Sequence, residues 1–135
     1  MKFKTNNIEA AYAALGREPI VVPAIPNLPE QERKWMQDNY DLTVVVEAIN
    51  QESNKGKHWV PNFEDGSTKY EGWYWLKKDE SNESGFVFSH ANYDCTDTNT
   101  DCGARFVYHS LDAKQYVYEN FNQLLLNVLS KRQPK

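Results

Sequence analysis

Ligand-type side chains crowd one stretch, SHANYDCTDTNTDCGARFVYHS, Ser89 to Ser110. Asp97, Asn99 and Asp101 stand at alternate positions, as calcium-binding oxygens do. An EF-hand loop then needs Gly at its sixth position and a bidentate Glu at its twelfth; Cys102 and Tyr108 stand there instead. His90, Cys95, Cys102 and His109 supply zinc-ligand atoms. If Cys95 and Cys102 oppose each other across a hairpin, both histidines fall on the other face of it. His90 then lies roughly 16 Å along the strand from Cys95, beyond any metal–ligand reach. No metal site is expected. Two readings of the cysteines stay open. A Cys95–Cys102 disulfide could close the hairpin end in an oxidising setting. A polar turn with two small, half-buried thiols needs no bond at all.

The histidines make no catalytic dyad in sequence. Ser89 and His90, like His109 and Ser110, are strand neighbours whose side chains point to opposite faces. The same hairpin register sets His109 opposite Phe88 and His90 opposite Val107, as surface or edge residues. The chain has no nucleophile elbow, zincin helix, phosphate-binding glycine loop or C-x-x-C pair. Acids such as Glu64, Asp65 and Glu71 are scattered, with nothing to set a separation. No catalytic residue and no cofactor is assigned.

Aromatic residues are the stronger signal. Trp59, Phe63, Tyr70, Trp73, Tyr74 and Trp75 crowd one region. On a strand, alternation puts Trp73 and Trp75 on one face, Tyr74 and Leu76 on the other. A sheet backed by helices on one side needs only one apolar face, so the second should meet something. The candidates are the 51–67 loop folding back, a second protein surface, or a sugar ring. Trp59, Tyr70, Trp73 and Trp75 form the candidate interaction surface, since exposed Trp and Tyr are favoured anchors.

The elements follow from periodicity. Ile8, Ala11, Tyr12 and Leu15 recur at helical spacing between a capping Asn7 and a terminating Gly16. Residues 19–29 carry Pro19, Pro23, Pro26 and Pro29 and must run extended. Ile20, Val21, Val22 and Ile25 should lay that connector over the core. A second helix starts at Pro29 and continues through about Asn50. The Leu42, Val45, Val46, Ile49 spacing outweighs the strand preference of three consecutive valines. Three strands follow, at 69–77, 85–94 and 104–110, joined by short polar links. Ser110 then caps one long helix with an apolar face of Ala113, Val117, Phe121, Leu124, Leu125, Val128 and Leu129. The expected fold is a single α+β domain over 1–135. Its order is α-α-β-β-β-α, with a three-stranded antiparallel meander and helices packed on one face.

Bulk properties narrow the partners. The 135 residues carry a net charge of −4, concentrated in the middle third. That field opposes a phosphate backbone, and the basic tail 131–135 reads as solvated, so nucleic acid is disfavoured. No apolar run is long enough for a membrane span. The N-terminus lacks the apolar core of a secretory signal, which favours a cytoplasmic or virion setting.

SGFVFSHANYD running into CGARFVYHSLDAKQYVYENFNQLL resembles a group of small proteins of Bacteroidetes bacteria and their phages. Leu28, Pro29, Glu30, Arg33 and Lys34 match the helix start of the same group, and the likeness spans most of 8–129. Its motifs are those of core and caps. The resemblance implies a fold and a phage or mobile-element origin, with no catalytic residues to carry over. The strand cysteine of that group is missing from GARFVYHS, and the Cys95/Cys102 pair is this chain's own. The expected function is a non-enzymatic protein contact, with itself or with a phage or host protein, as a virion, assembly or accessory component. A carbohydrate-binding module on the tryptophan face is the first alternative and a small enzyme the second.

Overall fold

The computed structural model describes residues 2–62, 64, 66–96 and 106–130, and of residues 94–96 the backbone alone. The chain is α+β, with four helices and a two-stranded antiparallel sheet among the described residues.

Helix α1, Ile8–Ala14, starts where the Asn7 side chain accepts the Ala10 N–H at 2.7 Å. It stops at Gly16, whose φ of 67° lets Arg17 N–H reach back to Tyr12 C=O and Gly16 N–H to Ala13 C=O. Helix α2, Glu30–Ser53, is the centre of the molecule. Its second half is buried on nearly every side, with Leu42, Val44, Val45, Val46, Ala48 and Ile49 in the core. Burial all round explains how consecutive valines sit in a helix despite their strand preference. Tyr12 and Asp41 join α1 to α2 through a buried hydrogen bond of 2.8 Å. Burial, with the Asp41 contact behind it, pushes the Tyr12 phenol up to about 12.

Helix α2 also grips three extended segments with side-chain groups. The Gln37 amide accepts Val22 N–H at 2.7 Å and donates to Ile20 C=O at 2.8 Å. The Asn50 amide accepts His109 N–H at 2.9 Å and donates to Val107 C=O at 2.9 Å. Each amide thus bonds a C=O and the N–H two residues on, as a neighbouring strand would. The Glu52 carboxylate accepts the N–H groups of Lys4 and Thr5 and the Thr5 hydroxyl.

The proline-rich connector departs from expectation. Ile20, Val21 and Ile25 are exposed, at 49%, 74% and 50%. The connector is held by its backbone, through Gln37 and through Arg33 Nη1 on Val22 C=O, so its side chains need not be buried.

Strands β1, Lys69–Lys78, and β2, Phe86–Thr96, form the hairpin, with Tyr70 opposite Cys95 and Trp75 opposite His90. Leu76 then pairs with Phe88, leaving Ser89 as an extra residue that bulges. The bulge changes parity along β2. Phe88 faces the core with Tyr74, while His90 lies outward beside Trp75.

The meander is not found. Among the described residues 106–110 there is no third strand, only an isolated bridge in which Tyr108 exchanges both backbone hydrogen bonds with Tyr70. That bridge lies on β1, on the side away from Cys95, so the expected pairings of His109 with Phe88 and His90 with Val107 fail. The cause is Asn50. By bonding Val107 and His109 it clamps this segment between β1 and α2 rather than beside β2.

The C-terminal helix is two helices, α3, Leu111–Asn120, and α4, Asn122–Ser130, broken at Phe121. The side-chain amides of Asn120 and Asn122 bond back to the carbonyls of Tyr116 and Tyr118, competing with the backbone ladder at the break. Ser110 caps α3 as expected, accepting Ala113 N–H at 3.1 Å. The expected apolar face is buried except Leu129, which is 42% exposed. Helices α3 and α4 touch the hairpin, and Tyr70, Tyr74 and Phe88 pack from its inner face onto the core.

Candidate functional site on the outer face of the hairpin

The outer face of β1 follows from alternation. Glu71, Trp73, Trp75 and Lys77 lie on it, opposite the face that Tyr70 and Tyr74 turn to the core. Trp73 is 55% and Trp75 45% exposed, so the 51–67 loop does not seal this face. The His90 ring lies parallel on the Trp75 indole, 14° between planes and 4.2 Å between centroids. His90 Nδ1 is 3.2 Å from the Ser89 hydroxyl, which donates to Trp75 C=O at 3.1 Å. The bulge residue therefore orients the imidazole. Asn92, opposite Trp73, is exposed and turns its Oδ1 to Tyr93 N–H.

The four aromatic residues expected to share one surface separate into three places. Only Trp73 and Trp75 are neighbours on it. Tyr70 is half-buried on the inner face, its ring 6.5 Å from that of Tyr93. Trp59 packs edge-on against His109, centroids 5.5 Å apart. It lines a groove of about 290 Å³ with Val46, Glu47, His58 and Val107, among others. Sequence spacing could not separate these residues, because the 51–68 segment follows no period that aims Trp59.

Cys95 lies in β2 by its backbone, but Cys102 lies outside the described residues, and so does the Asp97–Asn99–Asp101 pattern. His90 on the outer face and His109 beside α2 do not converge, and no group of three metal-ligating side chains meets among the described residues.

One arrangement escaped sequence reasoning. Ser53 Oγ is 2.7 Å from His109 Nδ1 and 2.6 Å from Ser110 Oγ. Burial lowers the His109 pKa and favours the neutral ring. Ser110 accepts from Ala113, so a relay of Ser110 hydroxyl to Ser53 and Ser53 to Nδ1 satisfies every group. A serine against a histidine is nucleophile-and-base chemistry in outline. Here Ser53 is buried in the last turn of α2, whose partial negative charge opposes a developing oxyanion. The relay is a structural clasp. Ser53 is 56 residues from His109, and no local pattern could have announced it.

Two further polar groups sit inside the aromatic wall. The Tyr74 hydroxyl is buried without a hydrogen-bond partner; Tyr108 is near but falls short of bonding geometry. Burial pushes the Tyr74 phenol up to about 12. Lys114 is 2% exposed, with its ammonium 5.5 Å from the Tyr74 ring centre and 5.3 Å from that of Tyr118. Desolvation lowers its pKa.

Compared with known protein families, with curated proteins and with solved structures, the chain matches none. No helix among the described residues is long and apolar enough to cross a membrane.

Proposed function

We propose that this protein is a contact module that docks a protein surface on the outer face of its β1–β2 hairpin. The observation that carries the reading is the pair of adjacent indoles, Trp73 and Trp75, exposed on the sheet face opposite the helices. Large exposed aromatics lose little conformational entropy on binding and bury much apolar area. We further propose, from the sequence resemblance alone, that this contact serves a phage or mobile element, as an assembly or accessory component.

A glycan is the second reading, because indoles also stack on sugar rings. The His90 imidazole covers one face of Trp75, so a sugar ring would stack on the other.

The test compares immobilised wild type with the double variant Trp73→Ser/Trp75→Ser, each checked for an unchanged circular dichroism spectrum. Proteins retained from a lysate of the source cells by wild type and lost by the variant support docking. Equal retention overturns it. Saturable tryptophan quenching by glycans, lost in the variant, would replace it with the second reading.

A further inference from the structure

From Glu71 onward the outer face of β1 reads Glu71, Trp73, Trp75, Lys77, while Lys69, of the same parity at the start of the strand, is buried. The bulge lies at Ser89 on β2, so nothing interrupts this row on β1 itself. The row is self-complementary about Tyr74. Reversing it exchanges Trp73 with Trp75 and the acid Glu71 with the base Lys77.

We infer that the occupant of this face is a second copy of the same chain. It is stacked sheet on sheet, with the two β1 strands antiparallel across a two-fold axis opposite Tyr74. The inference rests on the docking reading above and names its partner. An axis lying between the sheets and perpendicular to the strands reverses strand direction while keeping β1 over β1. Trp73 of each copy then faces Trp75 of the other, and each Glu71 faces a Lys77. A single surface patch serves both sides of such an isologous interface. Face-to-face sheets pack about 10 Å apart, a gap that aromatic side chains fill.

Charge supports this choice over an unrelated partner. The row carries one acid and one base at matched distances from its centre, and Lys77 is exposed while Glu71 is half-buried. A face built for a strongly charged partner would carry one sign. The contact is small. Eight strand residues by two strands span about 27 Å by 10 Å per copy, below the size of stable specific interfaces. The dimer is therefore a reversible one that forms as concentration rises.

Sedimentation velocity across a concentration series, in reducing buffer so that the cysteines cannot cross-link copies, tests it. Wild type should pass from monomer to dimer. Glu71→Lys and Lys77→Glu should each weaken dimerisation about tenfold, because each turns two attractive contacts repulsive. The double variant Glu71→Lys/Lys77→Glu should restore it, and Trp73→Ser should abolish it. Wild type that stays monomeric at the highest concentration overturns the second-copy inference. The docking reading would then be decided by the paired capture experiment alone. A dimer indifferent to the single reversals, or one the double variant fails to restore, overturns the inference equally by placing the contact elsewhere. All these positions are exposed or half-exposed, and circular dichroism separates misfolding from loss of contact.

Discussion

The imidazole of His90 lies flat on the indole of Trp75, 4.2 Å between ring centres, on the solvent side of a two-stranded hairpin. This stack exists because Ser89 is one residue too many for the ladder. Without the bulge, Phe88 and His90 would share a face, and one of them would be misplaced. The extra residue lets Phe88 pack inward and His90 lie outward, so the core and the open outer face are made from the same strand.

The open outer face and the core should respond differently to truncation. Trp73→Ala is expected to change stability by less than about 1 kcal/mol, since the indole is more than half exposed. Tyr108→Ala, at 1% exposure in the centre of the core, should cost about 3–5 kcal/mol. Urea denaturation of the two variants checks this. A large loss for Trp73→Ala would make that residue core.

Asn50 should be the polar residue that the fold can least spare. Its amide bonds both Val107 C=O and His109 N–H, and the residue is buried. Asn50→Leu leaves both backbone groups without partners and should cost about 2–4 kcal/mol. Hydrogen exchange at the His109 amide should speed up before global unfolding does.

His109 should make the fold acid-sensitive in a defined window. Burial lowers its folded pKa below the unfolded value of about 6.5. Between those two values the unfolded chain binds more protons, so stability rises with pH. It is complete above about 6.5, is lost as pH falls toward the folded pKa, and levels off below it. Thermal melts from pH 8 to pH 5 (about one pH unit apart) should show that slope. His109→Gln should flatten it, whatever its effect on absolute stability.

Gly72 should tolerate no side chain while Tyr74 is present. A Cβ built there would run into the hydroxyl end of the Tyr74 ring. That ring is held by Phe88 and Tyr118 at centroid distances of 5.3 and 5.9 Å, so it has little room to yield. Gly72→Ala is expected to cost about 1–3 kcal/mol. Gly72→Ala/Tyr74→Leu should lose less than the two single changes summed, because removing the ring removes the clash; a double-mutant cycle reads that coupling.

Lys114 should stabilise more as a neutral side chain than as a cation. Burial lowers its pKa, so the folded chain disfavours the charged form, with the ammonium near two tyrosine faces. Lys114→Met keeps the stem and removes the charge, and should raise stability at neutral pH by about 1 kcal/mol. A fall on urea denaturation would show the cation–π contacts to be the larger effect.

Local chemistry was legible where neighbours in sequence decide the outcome. Asn7, Gly16 and Ser110 end or begin helices through atoms a few residues away, so the boundaries of α1 and the start of α3 could be read directly. The period of Leu42, Val45, Val46 and Ile49 named α2 correctly, and alternation put Trp73 and Trp75 together on one face. Among the described residues, the third strand, the unbroken last helix and the buried connector are absent for a common reason. In each, a side-chain amide (Asn50, Asn120 with Asn122, Gln37) takes over backbone hydrogen bonds that a pattern of apolar residues cannot register.

By itself, then, the amino-acid order determined an α+β chain with its principal helices, its hairpin and an indole pair on a common side. Only the tertiary structure decided that this side stays open, that Tyr70 and Trp59 leave it, and that Ser53 meets His109. Helical and strand periods act over a few residues through local sterics and burial. Which face ends up covered depends on side chains such as Asn50 and Glu52 that bond segments about 50 residues away, and no local pattern encodes those partners.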